Sequence, residues 1–294
     1  DKIMRHAGWL VSWYFALFML GVCVFSLLMV AKNWELFFAA VPRFLGPFGA
    51  VLSMFAIFFA KSIHEVAHGL AAKKYGLRVS SMGVAFLVLW PVFYTDVSDS
   101  WKITDPKKRL VIGCAGIASE LWLGALASLA WLVLPDGLMR DMMFVLAGTS
   151  WTMSLAINLN PFMRFDGYYV LSDSLGIDNL QDRGRAMLKW KMREMIFGLG
   201  DDPPEVVFTN TRRFMLVFAV SSWVYRMFLT LSIAALIYAL FFKLLGIFLF
   251  LNQLYNSIVL PLRYEIKALK ARKQDIKWNE QTIRSVLVVM LLLA

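Results

Sequence analysis

Two histidines stand four residues apart, at His64 and His68, and a glutamate, Glu65, directly follows the first. On a helix, residues four apart lie one turn above each other on one face. Two imidazoles so placed can reach one metal ion. Glu65 is turned about 100° from His64 and about 60° from His68, so its carboxylate can lie beside that ion and take a proton from water. The run His64-Glu65-Val66-Ala67-His68 therefore has the spacing of metal-assisted hydrolysis. The chain has three histidines, and two of them are here. The competing reading is a pair of buried histidines packed on a helix.

A catalytic site of this kind needs a third protein ligand and an open position. His6 precedes the first apolar segment and is a poor candidate. A better one lies at the end of a later apolar segment, in Asn158-Leu159-Asn160-Pro161-Phe162-Met163-Arg164-Phe165-Asp166-Gly167. Asp166 can supply an oxygen ligand. Pro161 breaks the helix and frees backbone carbonyls, and Gly167 relieves the turn after Asp166. Asn158 either donates a hydrogen bond to a developing oxyanion, fixes the backbone around Asp166, or caps a helix.

The elements that must carry these residues are membrane helices. The 294 residues are 60% hydrophobic and 17% charged, with a mean hydropathy of +0.64, far more apolar than a soluble domain. The eleven Trp and nine Tyr suit membrane interfaces. The net charge of +10 does not point to nucleic acid, because the basic residues cluster between apolar segments. Cys23 and Cys114 fall inside apolar segments and read as small hydrophobes.

The expected fold is an all-α polytopic membrane protein, a bundle of six to seven spans with a small β-hairpin or re-entrant element near the site. Residues 1–44 hold the first span, Trp9–Ala31, and an outer loop. Residues 45–176 form the core that carries both motifs, with spans over Leu45–Ala72, Arg109–Leu134 and Leu138–Asn158. Within it, Val79–Val97 is rich in Val, Phe, Trp and Tyr and holds Gly83 and Pro91, which favours a strand pair over another span. Tyr94, Asp96 and Asp99 follow as either a polar turn or a lining for substrate access. Residues 177–213 form an amphipathic segment whose Arg183, Arg185, Lys189, Lys191 and Arg193 face solvent near anionic lipid. Residues 214–262 hold two more spans, Phe214–Phe242 and Leu244–Leu262, or one long tilted helix. Residues 263–294 hold a basic surface segment and the start of a seventh span. The chain begins at Asp1 and ends inside an apolar run, so flanking segments are expected.

With the N-terminus placed inside, 24 of the 30 Lys and Arg residues fall in inner segments and four in outer loops. That asymmetry predicts a cytoplasmic N-terminus and an active site toward the cytoplasmic side; the membrane itself is expected to be a bacterial inner membrane. Lys61, Glu120 and Arg226 are charges within spans, which are costly in lipid and usually paired or facing a polar cavity. Lys61, one turn before His64, pairs with Glu120 or tempers the charge near the metal.

His64-Glu65-x-x-His68 on one span, followed by Asn158-x-x-Pro161-x-x-x-x-Asp166-Gly167 on a later one, resembles the site-2 protease family of intramembrane zinc metallopeptidases, and within it the peptide zinc metallopeptidase branch. The resemblance covers roughly Leu45 to Gly176. It implies zinc held by His64, His68 and Asp166, Glu65 as general base, and a substrate peptide bond within or next to the bilayer. It also implies a link to export through partner subunits, the alternative being a component of a secretion complex in which proteolysis is secondary or absent. The sequence departs from the family at Gly116-Ile117-Ala118-Ser119-Glu120, where many members carry Gly-Pro-x-x-Asn.

Overall fold

The computed structural model describes residues 8–87, 90–198, 200–240, 242–261, 263, 264 and 267. His6, most of the basic segment after residue 263 and the expected seventh span lie outside the described residues. The chain forms two compact units, Asp1–Ile177 and Asp178–Ala294.

The first unit is built on three long helices: α1 (Trp13–Lys32), α3 (Pro47–Lys74) and α4 (Pro106–Val133). The short α2 (Trp34–Ala40) joins the first two, and a 3₁₀ turn over Val41–Phe44 leads into α3. Local chemistry sets their ends. The Ser12 hydroxyl accepts the Phe15 N–H and opens α1. Pro47 stands in the first turn of α3, where its missing N–H costs nothing. At the other end Gly76 adopts φ +77°, and the Gly76 and Leu77 N–H groups reach back to the carbonyls of Lys73 and Ala72, a Schellman closure that only glycine enters easily. Asp105 caps α4 through the Lys107 N–H, again with proline in the first turn.

Between α3 and α4 the chain forms an antiparallel hairpin, β1 (Met82–Leu87) and β2 (Trp90–Thr95), paired from Met82↔Thr95 to Leu87↔Trp90. The strand pair expected over Val79–Val97 is therefore present. Residues facing one side of it pack on α3. Phe93 meets Phe58 edge-on at 4.5 Å, and the Thr95 hydroxyl donates to the Glu65 carbonyl at 2.9 Å. Gly69 leaves room there, with Met82 and Thr95 in van der Waals reach of its missing Cβ. On the other side Tyr94 lies across Gly83.

α4 is the central helix of this unit and touches α1, α3, α5 (Leu138–Thr152) and α6 (Asp166–Leu175). Many of its buried residues are small, among them Gly116, Ser119, Gly124, Ala125, Ala127 and Ser128. That suits a bilayer, where helix association depends on close packing rather than on expulsion of water. At Gly124 the Trp151 indole comes within 3.1 Å of the position a Cβ would take. Toward the far end of α4, Trp131 packs among Phe37, Phe144 and Ala56. By contrast Trp13, Tyr14 and Phe18 on α1 point outward, as lipid-facing residues should.

The second unit contains α7 (Leu180–Phe197), α8 (Thr209–Leu240) and α9 (Lys243–Leu254). α7 packs on α8 through Gly184, which sits against the Met215 carbonyl. Its basic side is laced with ion pairs, Arg183–Glu205 at 2.7 Å and Arg185–Asp182 at 2.5 Å. In α8 the Arg226 guanidinium donates to the Ser222 carbonyl.

Four helices are long and apolar enough to cross a membrane: α1, α3, α4 and α8. The expected count of six to seven is not reproduced among the described residues. The segment read as a fourth span is a 15-residue α-helix continued by a π-helical turn over Met153–Asn158. The sixth is a 12-residue helix continued by a π-helical turn over Tyr255–Val259. Replacing Trp131 with Ala removes a large buried side chain at a helix junction remote from the histidines. Trp131→Ala is expected to lower the unfolding free energy by about 3–5 kcal/mol, read by denaturation in mixed micelles.

Candidate metal centre

α3 and α4 run antiparallel, and their contacts keep one register: His68 opposite Ile112, His64 opposite Gly116, Lys61 opposite Glu120. His64 and Gly116 each lie ten residues inside the helix ends that face the hairpin, about 15 Å along the axis. The imidazoles therefore sit well inside these two long helices, away from their ends. Both are buried, at 4% and 7% exposure.

The rings fit because residue 116 is glycine. A Cβ there would overlap His68 Nε2 and the His64 ring. The absent side chain leaves a notch, and the two Nε2 atoms come to 3.1 Å of each other inside it.

Asp166 completes the group from another element. The chain leaves α5 through the π-helical turn, folds through Asn160, whose side chain accepts the Phe162 N–H, and enters α6 at Asp166. Gly167 works by closeness rather than by turn geometry, contrary to the expectation. Its backbone lies so near Leu159 that a Cβ would strike the Leu159 carbonyl. The approach brings Asp166 Oδ2 to 2.9 Å from His64 Nε2 and 3.4 Å from His68 Nε2.

These three atoms have the geometry of ligands. A tetrahedral zinc site with metal–ligand lengths of about 2.0–2.1 Å separates neighbouring donors by about 3.3 Å, against the 2.9, 3.1 and 3.4 Å seen here. Asp166 Oδ2 is buried, yet no hydrogen bond satisfies it, because it stands off the axis along which either ring would point a proton. A buried carboxylate oxygen left this way calls for a cation. Among the described residues, His64, His68 and Asp166 are the group of side chains able to share a metal ion.

Two acceptors on α4 stand behind the rings. The Ile112 carbonyl is 2.8 Å from His68 Nδ1. Glu120 Oε1 is 3.0 Å from His64 Nδ1, displaced from the axis of its N–H. Glu120 is wholly buried. Lys61 Nζ reaches its Oε1 at 2.7 Å, and its Oε2 accepts from Ser154 at 2.7 Å and from the Asn158 amide at 2.6 Å. The Asn158 carbonyl oxygen in turn accepts from Lys61 at 3.2 Å. Thus Asn158, Lys61 and Glu120 are brought together beside the metal group, with Ser154, a residue that spacing alone did not single out.

Glu65 is half-buried on α3, and its backbone carbonyl anchors β2. Tyr94, Asp96 and Asp99 behave as a strand end and a polar turn. Asp96 accepts the Ser98 N–H, and hydrogen bonds from Ser98 hold its carboxyl below the usual range. Asp99 pairs with Lys102 at 2.6 Å.

Comparison with known proteins agrees with this geometry. A segment of 67 residues is 37% identical to an uncharacterized protein of Methanocaldococcus jannaschii, covering 22% of this chain and 18% of that protein. The matched region is thus under a fifth of the curated relative's length. No solved structure matches the chain. The profile of peptidase family M50 matches residues 50–260, a stretch that includes nearly all of α3, the hairpin, α4 and the Asp166 turn. With that match spanning most of its length, the chain belongs to peptidase family M50, the site-2 protease family of membrane-embedded metallopeptidases.

Proposed function

We propose that this protein is a zinc-dependent intramembrane peptidase that hydrolyses a peptide bond within or next to the bilayer. One observation carries the reading: three donor atoms from two distant segments meet at tetrahedral spacing in a notch cut by Gly116, on a long apolar helix where Glu65 directly follows His64. His64, His68 and Asp166 would hold the ion and leave one position open. Zinc bound there supplies Lewis acidity toward a carbonyl and acidifies a nearby water.

The chain's own residues do the rest. Glu65 takes the proton of the attacking water and returns it to the departing amine. The small faces of α3 and α4 and the burial of both imidazoles keep bulk water from the group. The hairpin, tied to the Glu65 carbonyl through Thr95, stands next to the base. Among the described residues its strands pair only with each other, so an outer edge is open to an extended substrate. A helical substrate would have to unwind first, since its carbonyls are occupied. Asn158 contacts Glu120 and Lys61, and donation from it to a reacting carbonyl would require that contact to break. The distribution of Lys and Arg between loops supports a cytoplasmic N-terminus, with the site nearer the cytoplasmic face.

Glu65→Gln should keep its zinc but lose at least about a hundredfold in cleavage of a fusion substrate; undiminished hydrolysis by that variant removes Glu65 as base. Asp166→Ala should purify with far less than one zinc per chain by elemental analysis, and zinc equal to wild type would assign the third ligand elsewhere. Gly116→Leu, which fills the notch, should likewise lose metal even though it touches no ligand covalently.

A further inference from the structure

The assignment of ligand and base roles leaves Glu120 unused. It is a carboxylate with no exposed surface, in the middle of an apolar helix, and such a group is costly unless every oxygen is met. Here every oxygen is met. Oε1 accepts from Lys61, Oε2 accepts from Ser154 and Asn158, and Oε1 also stands 3.0 Å from His64 Nδ1, off the axis of its N–H. Stability alone does not account for this arrangement. A buried ion pair contributes no more than apolar residues of the same volume would, and nothing about stability asks for an oxygen 3.0 Å from an imidazole nitrogen.

The notch supplies the reason. Gly116 gives the His64 ring space but no wall to lean on, so the ring's angle must be set from its other edge. A histidine that ligates through Nε2 donates through Nδ1, and the acceptor there fixes the ring. His68 has the Ile112 carbonyl in that place, held rigidly by the helix backbone. His64 has a side chain instead. We propose that Glu120, held in place by Lys61, Ser154 and Asn158, is the positioning residue that aims His64 Nε2 at the metal, with Lys61 as its fixed counter-charge.

This rests on the metal assignment above, and the two can fail separately. The experiment is zinc affinity of purified, detergent-solubilised protein by competition with a chelator, alongside the melting temperature of the metal-free protein. Glu120→Gln should weaken zinc binding by about 10–100-fold. Lys61→Met, which leaves the carboxylate in place but removes its anchor, should weaken it in the same direction, and Lys61→Arg should restore it. A purely structural role would lower the metal-free melting temperature and leave zinc affinity alone. Glu120→Gln binding zinc within about twofold of wild type, far short of the effect expected for such a partner, overturns the inference while the metal assignment stands. Should Glu120→Gln fail to fold, Lys61→Met at wild-type affinity overturns it equally. A wild type that binds no zinc removes both.

Discussion

The structure depends on how closely α3 and α4 approach at Gly116. Every other part of the site follows from that contact. Without a Cβ at that position the two imidazoles can lie between the helices with their Nε2 atoms together. With one, the helices would have to separate or the rings would have to turn away. In a bilayer the separation would not be repaired by hydrophobic collapse, because lipid tails are as apolar as the side chains they replace. Small residues down the same face of α4, from Gly116 through Ser119 and Gly124 to Ser128, hold the close approach over several turns. The helix that makes the packing possible therefore also makes the site possible.

Polar chemistry inside such a bundle needs its own internal solvent. The protein builds one from side chains. Glu120 draws in Lys61, Ser154 and Asn158, and the π-helical turn that carries the last two sits where the wider turn can present both to the same carboxylate. The result is a hydrogen-bonded patch behind the His64 ring, while the Asp166 side lacks such satisfaction. That asymmetry gives the site a direction. On one side of the ring both Glu120 oxygens accept hydrogen bonds, and on the other Asp166 Oδ2 accepts none.

Much of this was legible in the chain because the relevant signals are local. His64, Glu65 and His68 announce themselves by spacing on one helix, and Asp166 by its place after a proline-broken segment end. The hairpin was legible because Val, Phe, Trp and Tyr around Gly83 and Pro91 suit a pleated backbone better than a helix. The span count is left unconfirmed: among the described residues four helices are long and apolar enough to cross, and the segments after Gly137 and Phe242 are shorter α-helices that each continue into a π turn. Gly116 appeared only as part of a departure from the family pattern, and its steric role needs the facing helix to be visible. Ser154 carried no signal at all. A serine in an apolar run is ordinary until a buried carboxylate is found opposite it. Gly167 was recognised for the wrong reason: its need is nearness to the Leu159 carbonyl, a tertiary constraint, and not a turn.

The departure at Glu120 makes sense in the same physical terms. A neutral amide at that position would ask for one or two hydrogen bonds and no counter-charge. A carboxylate asks for full satisfaction and a cation, and Lys61 meets that demand from the opposite helix, one turn from His64. Neither charge is tolerable in this apolar setting without the other, so the two positions form one unit. The glutamate version brings a charged acceptor within 3.0 Å of His64 Nδ1, on the edge of the ring away from Asp166. A charge buried in the bundle thereby stands against the ring whose other nitrogen faces Asp166.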